Sequence, residues 1–325
     1  MKKLQLQDYL EGIKRKDRTI LARAITLVES QNPDHQKLSQ ELLQKILPLT
    51  GKSHRLGISG TPGVGKSTFI EAFGKMLTAQ NKSVAVLAVD PTSQVSGGSI
   101  LGDKTRMNEL AIDPLAFIRP SPSGESLGGV ARRTRESLLL CEAFGFDYVI
   151  VETVGVGQSE TTVAQMVDIF IMLLQPGSGD DLQGIKRGIL ELVDMVVVTK
   201  DDGDNEKMIM KARHDYERAL SILRHDTWIP PVLSCSALTK KGLPELQEVI
   251  GRYFLDRSDN ITERRNRQGL DWMWQLIKDG LFDHFRQSLS ELMISEAEKK
   301  VRACSLTPPQ AAQQLLTNFF KTKDG

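Results

Sequence analysis

An α/β fold with a mostly parallel central sheet flanked by helices is predicted by two patterns in this chain. Between Arg55 and about Leu255, short β-rich apolar runs alternate with amphipathic stretches of helical spacing. The stretch Gly60-Thr61-Pro62-Gly63-Val64-Gly65-Lys66-Ser67 fills the pattern GxxxxGK[ST] between one such run, 56–59, and a helix-patterned segment that begins at Thr68. A strand that turns through a glycine-rich loop into a helix forms a corner suited to phosphate.

The elements follow in order. Helical periodicity over 8–29 (Tyr9, Leu10, Ile13, Ile20, Leu21, Ala24, Ile25, Val28) and 36–47 (Leu38, Leu42, Leu43, Ile46, Leu47) predicts an N-terminal helical pair, region 1–50, packed on the main domain. The main domain, 51–255, carries strand-like runs at 56–59, 83–89, 115–119, 147–152, 169–174, 195–199 and 232–234. In a sheet of this type the functional residues collect at the C-terminal ends of the strands. Beyond Leu255, a polar linker over 256–260 leads to a stripe of Leu270, Met273, Trp274, Ile277, Leu281, Phe285, Leu289 and Leu292, which predicts one long helix. A second helix, 309–320, follows the break at Thr307-Pro308-Pro309. A stripe with Trp272 and Trp274 outside the sheet predicts packing between subunits, so region 256–325 reads as a dimerisation arm and the chain as a homodimer.

Composition narrows the partners. Lys plus Arg number 42 against 41 Asp plus Glu, and the isoelectric point is near 7.7, which argues against a nonspecific nucleic-acid or anionic-membrane binder. Cys141, Cys235 and Cys304 are too scattered for a disulfide framework or zinc cluster. The N-terminus has no hydrophobic signal core and no apolar run approaches a membrane span, so a cytoplasmic protein is expected.

The glycine-rich motif is a P-loop, and the expected fold is that of a P-loop NTPase. Triphosphate oxygens need many donors at close range, which backbone N–H groups and a helix N-terminus supply. Lys66 is expected to reach the β- and γ-phosphates and Ser67 to ligate Mg²⁺, with Thr68 next on the helix. The base is read elsewhere. Thr199-Lys200-Asp201-Asp202 follows the run 195–198 and matches the guanine-reading N/TKxD pattern, with Lys200 covering the base and Asp202 accepting from its N1 and N2 donors. Thr199 has a hydroxyl where Asn is usual, which predicts a weakened or lost contact. Ser236, Ala237 and Leu238 fit the short loop that closes over guanine through backbone N–H. Together these predict GTP and GDP over adenine nucleotides.

Glu152 ends the run 147–152 and precedes Gly155, the arrangement of a metal-holding carboxylate followed by a γ-phosphate-sensing glycine. Asp90, at the end of 83–89, and Asp103, in the loop beyond it, are the other candidates for Mg²⁺. Val156 stands where Ras-like enzymes place a water-orienting Gln, so intrinsic hydrolysis should be slow, with Gln158 a candidate substitute.

With these residues assembled, the chain resembles the SIMIBI-class P-loop GTPases that serve metal and cobalamin enzymes, specifically the MeaB/ArgK type associated with adenosylcobalamin-dependent methylmalonyl-CoA mutase. The resemblance extends over nearly the whole chain: 21–29, the P-loop, 89–93, 97–107, 152–160 and 175–188. It implies switch regions at 90–107 and 153–160, a further switch at 175–188 that contacts the mutase, and a homodimer formed through the C-terminal arm. The implied activity is that of a GTP-hydrolysing chaperone that gates cofactor loading and protects the mutase. Lys186, in the third switch, is then a candidate activating cation. The family usually has Asn-Lys-Ala-Asp where this chain has Thr199-Lys200-Asp201-Asp202. Two other readings compete. An ATP-dependent kinase linked to basic amino-acid transport is disfavoured by Asp202 and the Ser236-Ala237 loop, and a nickel-delivery metallochaperone by the dispersal of His35, His54, His214, His225 and His284.

Overall fold

The computed structural model describes residues 4–89, 107–120, 127–153, 159–177, 187–203, 205–223 and 228–321. The chain divides into two compact units, Met1–Thr262 and Glu263–Gly325.

The first unit is built on a sheet of seven strands: β1 (His54–Gly60), β2 (Val84–Val89), β3 (Ala116–Arg119), β4 (Tyr148–Thr153), β5 (Ile169–Leu174), β6 (Met195–Val198) and β7 (Val232–Ser234). Their spatial order is β3-β2-β4-β1-β5-β6-β7, and every neighbouring pair runs parallel. The central strands are buried on both faces, which is why they read as continuous apolar runs rather than alternating ones. Alternate residues serve different cores. Ile169, Ile171 and Leu173 join one cluster, while Phe170, Met172 and Leu174 join the other.

One face of the sheet is covered by α4 (Lys66–Ala79) and α10 (Leu243–Asp256), whose Phe69, Phe73, Leu246 and Ile250 pack with Ile58, Ile171 and Val197. The other face carries the N-terminal helices together with α6 (Leu127–Phe144) and α9 (Glu206–Leu223). The short helices α5 (Asn108–Ala111), α7 (Ser159–Ala164) and α8 (Arg187–Leu190) lie between strands in sequence.

The expected N-terminal pair is three helices: α1 (Leu6–Lys14), α2 (Arg18–Val28) and α3 (Pro33–Ile46). The break has a local cause. Lys16 takes a left-handed φ of 59°, and the Asp17 side chain accepts from the Thr19 and Ile20 amides at 2.8 and 3.2 Å, capping a new helix. At Gly12 a Cβ would stand 2.5 Å from Ile20, so glycine is what lets α1 fold back against α2. Glu29 pairs with Arg119 at the end of β3, and Arg18 donates to the Ala116 carbonyl, fixing α2 to the edge strand.

Beneath the sheet, Arg55 makes a two-pronged pair with Glu142 of α6 (Nε to Oε1 2.8 Å, Nη2 to Oε2 2.7 Å). The Glu142 side chain is 0% exposed, and the Gly51 amide also donates to it.

The expected linker at 256–260 is largely helical, because α11 (Ser258–Ser288) begins within it and Ile261 is buried in the first unit. In the second unit, α12 (Glu291–Arg302) starts at the Ser290 cap, which leaves Leu289 and Leu292 beyond the long helix, and α13 (Pro308–Lys321) follows. This unit packs Phe285 and His284 against Phe319. It leaves Leu270, Met273, Trp274, Ile277 and Leu281 exposed at helical spacing.

Replacing Arg55 by Ala strands the buried Glu142 carboxylate, and the expected loss in urea unfolding is about 3 kcal/mol or more. A change below about 1 kcal/mol would show that the pair does not hold α6 to β1.

Candidate nucleotide site

The site sits at the C-terminal ends of β1, β4, β6 and β7, where the sheet opens on one edge. β1 ends at Gly60, whose φ of 154° and closeness to β5 both exclude a side chain: a Cβ there would lie 2.6 Å from the Leu173 carbonyl oxygen. Gly63 and Gly65 have φ of 81° and 97°, and a Cβ on either would meet nothing within 4 Å, so the inner side of the loop is open. α4 starts at Gly65 without a side-chain cap, leaving its first N–H groups to a ligand. Lys66 is 9% exposed, and its Nζ donates to the carbonyls of Gly60 at 2.7 Å and Thr61 at 3.3 Å. The ammonium is thereby held inside the loop that would wrap a phosphate chain.

Ser67, one residue on, donates from Oγ to Glu152 Oε1 at 3.2 Å. Register explains the meeting. Glu152 pairs with Ile58 of β1 and Ala88 of β2, so it emerges from the middle of the sheet next to the P-loop, and it is 6% exposed. A hydroxyl and a carboxylate side by side are hard oxygen ligands of the kind Mg²⁺ takes, so this pair fits the ion. Asp90, Asp103, Gly155, Val156, Gln158 and Lys186 lie outside the described residues, as does most of each expected switch segment.

A cleft of about 240 Å³ opens beside the P-loop, lined by Val64, Gly65, Thr68, Phe69, Thr199, Lys200, Asp202, Cys235, Ala237 and Leu238. P-loop and base-loop residues thus meet in one cavity. Thr199 is 5% exposed and its Oγ1 donates to the Val64 carbonyl at 2.8 Å, with the Leu174 carbonyl 3.1 Å away. The hydroxyl therefore braces the P-loop, whereas the motif alone predicts only a lost contact from Thr in place of Asn. Lys200, in a left-handed turn with φ 62°, lies across the loop with Nζ 3.2 Å from the Gly63 carbonyl and 3.1 Å from Gln175 Oε1.

Asp202 faces the cleft and accepts from Ser236 Oγ through Oδ2 at 2.6 Å. Ser236 is fully buried behind it, accepts from the Thr239 amide at 3.0 Å and commits its own N–H to the Lys241 carbonyl at 3.0 Å. Asp201 stands apart from the cleft lining and turns its carboxylate away, to Ser234 Oγ (2.9 Å) and Lys241 Nζ (2.8 Å). Burial alone raises its pKa, but the bonds from Lys241 and Ser234 outweigh burial and hold the carboxyl below the usual range. Cys235 lies against the cleft with its thiol pushed up to about 12, first by burial and then by the charges of Asp201 and Asp202. It is a packing residue, not a nucleophile. Lys241 carries no local motif, and reasoning from spacing misses it.

Residues 21–290 match the family model described as methylmalonyl Co-A mutase-associated GTPase MeaB. The chain belongs to that family. It is 53% identical over 308 residues to a putative GTPase of Caulobacter vibrioides, covering 93% of this chain and 94% of that one. It is 49% identical over 323 residues to the GTPase ArgK of Escherichia coli, covering 98% and 97%. Among solved structures, one described as a LAO/AO transport system kinase superposes with a TM-score of 0.79 at 41% identity, covering 99% of each chain. This member of the MeaB family is accordingly a GTPase.

The site yields two expectations. Lys66→Ala should reduce single-turnover GTP hydrolysis by about 10²-fold or more, because the cation that offsets developing phosphate charge is gone. Near-normal turnover in a folded variant would remove Lys66 from the mechanism. Thr199→Val, which keeps the shape and loses the hydroxyl, should weaken GDP binding by about tenfold in calorimetry, while Thr199→Asn should bind at least as tightly as wild type. Unchanged affinity in the Val variant would show that the brace to Val64 is dispensable.

Proposed function

We propose that this GTPase is a cytoplasmic chaperone for an adenosylcobalamin-dependent acyl-CoA mutase of the methylmalonyl-CoA type, gating cofactor loading and protecting the mutase. The observation that carries the reading is the match of 21–290 to a family described as mutase-associated, on a chain whose P-loop and 199–202 loop line one cleft. The kinase designation applies to the protein whose solved structure superposes. Here a carboxylate aimed at the base edge favours guanine.

In this reading each side chain has a defined task. Asp202 accepts from N1 and N2 of guanine, the Ala237 N–H faces O6, and the Lys200 stem covers one ring face. The amides opening α4 donate to the phosphates, and Lys66 leaves the Gly60 and Thr61 carbonyls to pair with them. Ser67 and Glu152 would hold Mg²⁺, directly or through water. When bound, that ion supplies charge neutralisation at the phosphates. Asp90 and Asp103 are the further candidates to approach it. The segments 90–107, 153–160 and 175–188 act as switches ordered by the γ-phosphate and released on hydrolysis. The exposed stripe from Leu270 to Leu281 is the surface on which a second copy packs, giving the homodimer.

With Val156 in place of a catalytic Gln, basal hydrolysis is slow and the partner accelerates it. Single-turnover hydrolysis should rise by about tenfold or more when a methylmalonyl-CoA mutase is added. Lys186→Ala should lose most of that acceleration while keeping the basal rate. If the mutase accelerates both proteins equally, Lys186 is not the activating cation and Gln158 becomes the residue to test. If it accelerates neither, the chaperone reading fails.

A further inference from the structure

Beside Asp202 in sequence stands a second acidic residue, Asp201, that is absent from the cleft lining. Asp201 has a side chain 10% exposed, with Lys241 on Oδ1 and Ser234 on Oδ2, and its amide donates to the Cys235 carbonyl at 3.1 Å. Lys241 joins two loops: its Nζ bonds Asp201 after β6, and its carbonyl accepts from the Ser236 amide after β7. Gly242, with φ 75°, makes this closure possible, since a Cβ there would lie 2.2 Å from the Ser234 carbonyl oxygen. The opposite end needs support too. Lys200 sits in a left-handed conformation that a non-glycine residue adopts only when its surroundings compel it.

We propose that Asp201 and Lys241 are positioning residues for guanine recognition, forming a clasp behind the cleft that fixes the separation between Asp202 and the loop carrying Ser236 and Ala237. The inference rests on the reading of Asp202 as the base acceptor and deepens it. Asp202 and Ser236 already touch through a 2.6 Å hydrogen bond, so a shift of either backbone moves the carboxylate that meets N1 and N2. Lys241 reaches the clasp from the surface, with its side chain 61% exposed, so removing it does not open a core cavity. Its loss releases the closing turn from one side and leaves the Asp201 carboxylate against Ser234 alone. The phosphate half of the site, built on β1 and α4, is untouched by this change.

The test compares GDP, IDP and ADP by calorimetry on the full chain, because IDP lacks the N2 donor and ADP lacks the guanine edge altogether. Lys241→Ala should weaken GDP binding by about tenfold and shrink the GDP-to-IDP affinity ratio, while ADP affinity stays as in wild type and Lys241→Arg restores the ratio. Asp201→Asn, which keeps the shape and loses the charge, should act in the same direction. A GDP-to-IDP ratio that is unchanged in Lys241→Ala overturns the proposal. So does an equal fall for all three nucleotides, which would mean general loosening of the site. Asp202→Asn serves as the separate control: if it fails to exchange guanine preference for xanthine, the assignment of the base acceptor itself is wrong.

Discussion

The hydrogen bond from the Thr199 hydroxyl to the Val64 carbonyl joins two loops that are far apart in sequence, and the nucleotide cleft depends on that junction. Val64 belongs to the P-loop and Thr199 opens the loop that follows β6. The sheet brings them within reach, because β5 lies between β1 and β6 and all are parallel, so both loops leave from the same edge. A ligand whose base and phosphates must be bound at a fixed distance needs this spacing before it arrives. Lys200 adds a second connection, from the base loop to the Gly63 carbonyl. Ordering the two loops in advance reduces the entropy that binding must overcome.

Around that junction, charges are placed by what they have to do. Lys66 and Glu152 are both nearly buried beside the P-loop, one held by carbonyls and the other beside the Ser67 hydroxyl. Asp201, away from the cleft lining, is paired with Lys241. Arg55 and Glu142 play the comparable role at the opposite end of the sheet. The same chemistry, a carboxylate paired with a cation, thus stands at both ends of the strands.

The strands are legible in the sequence because a parallel sheet covered on both faces leaves continuous apolar runs. The segment 169–174 reads the same way in either description. The P-loop and the stretch Thr199 to Asp202 are legible because motifs of this kind fix residue type and spacing locally. Other features are not. The helix break at Lys16 and Asp17 lies in a charged stretch that looks like an ordinary solvated face, and only the left-handed turn and cap reveal it. The start of α11 within 256–260 is hidden for a related reason: polar residues at a helix start resemble those of a linker. The consequence of Thr199 escapes the motif, which compares residue types and cannot show which carbonyl the hydroxyl meets. Lys241 cannot be found at all from spacing, since its partner is forty residues away in sequence and adjacent only through the β6–β7 pairing.

The central claim is that these loops form one preassembled cleft specific for guanine. Its most direct test is the affinity of the wild-type chain for GDP and for ADP, measured side by side in the presence of Mg²⁺. A site in which Asp202 meets the N1 and N2 donors predicts GDP bound at least about 100-fold more tightly, because adenine offers that carboxylate no matching pair of donors. Equal affinities for the two nucleotides would contradict the account, whatever the rate of hydrolysis.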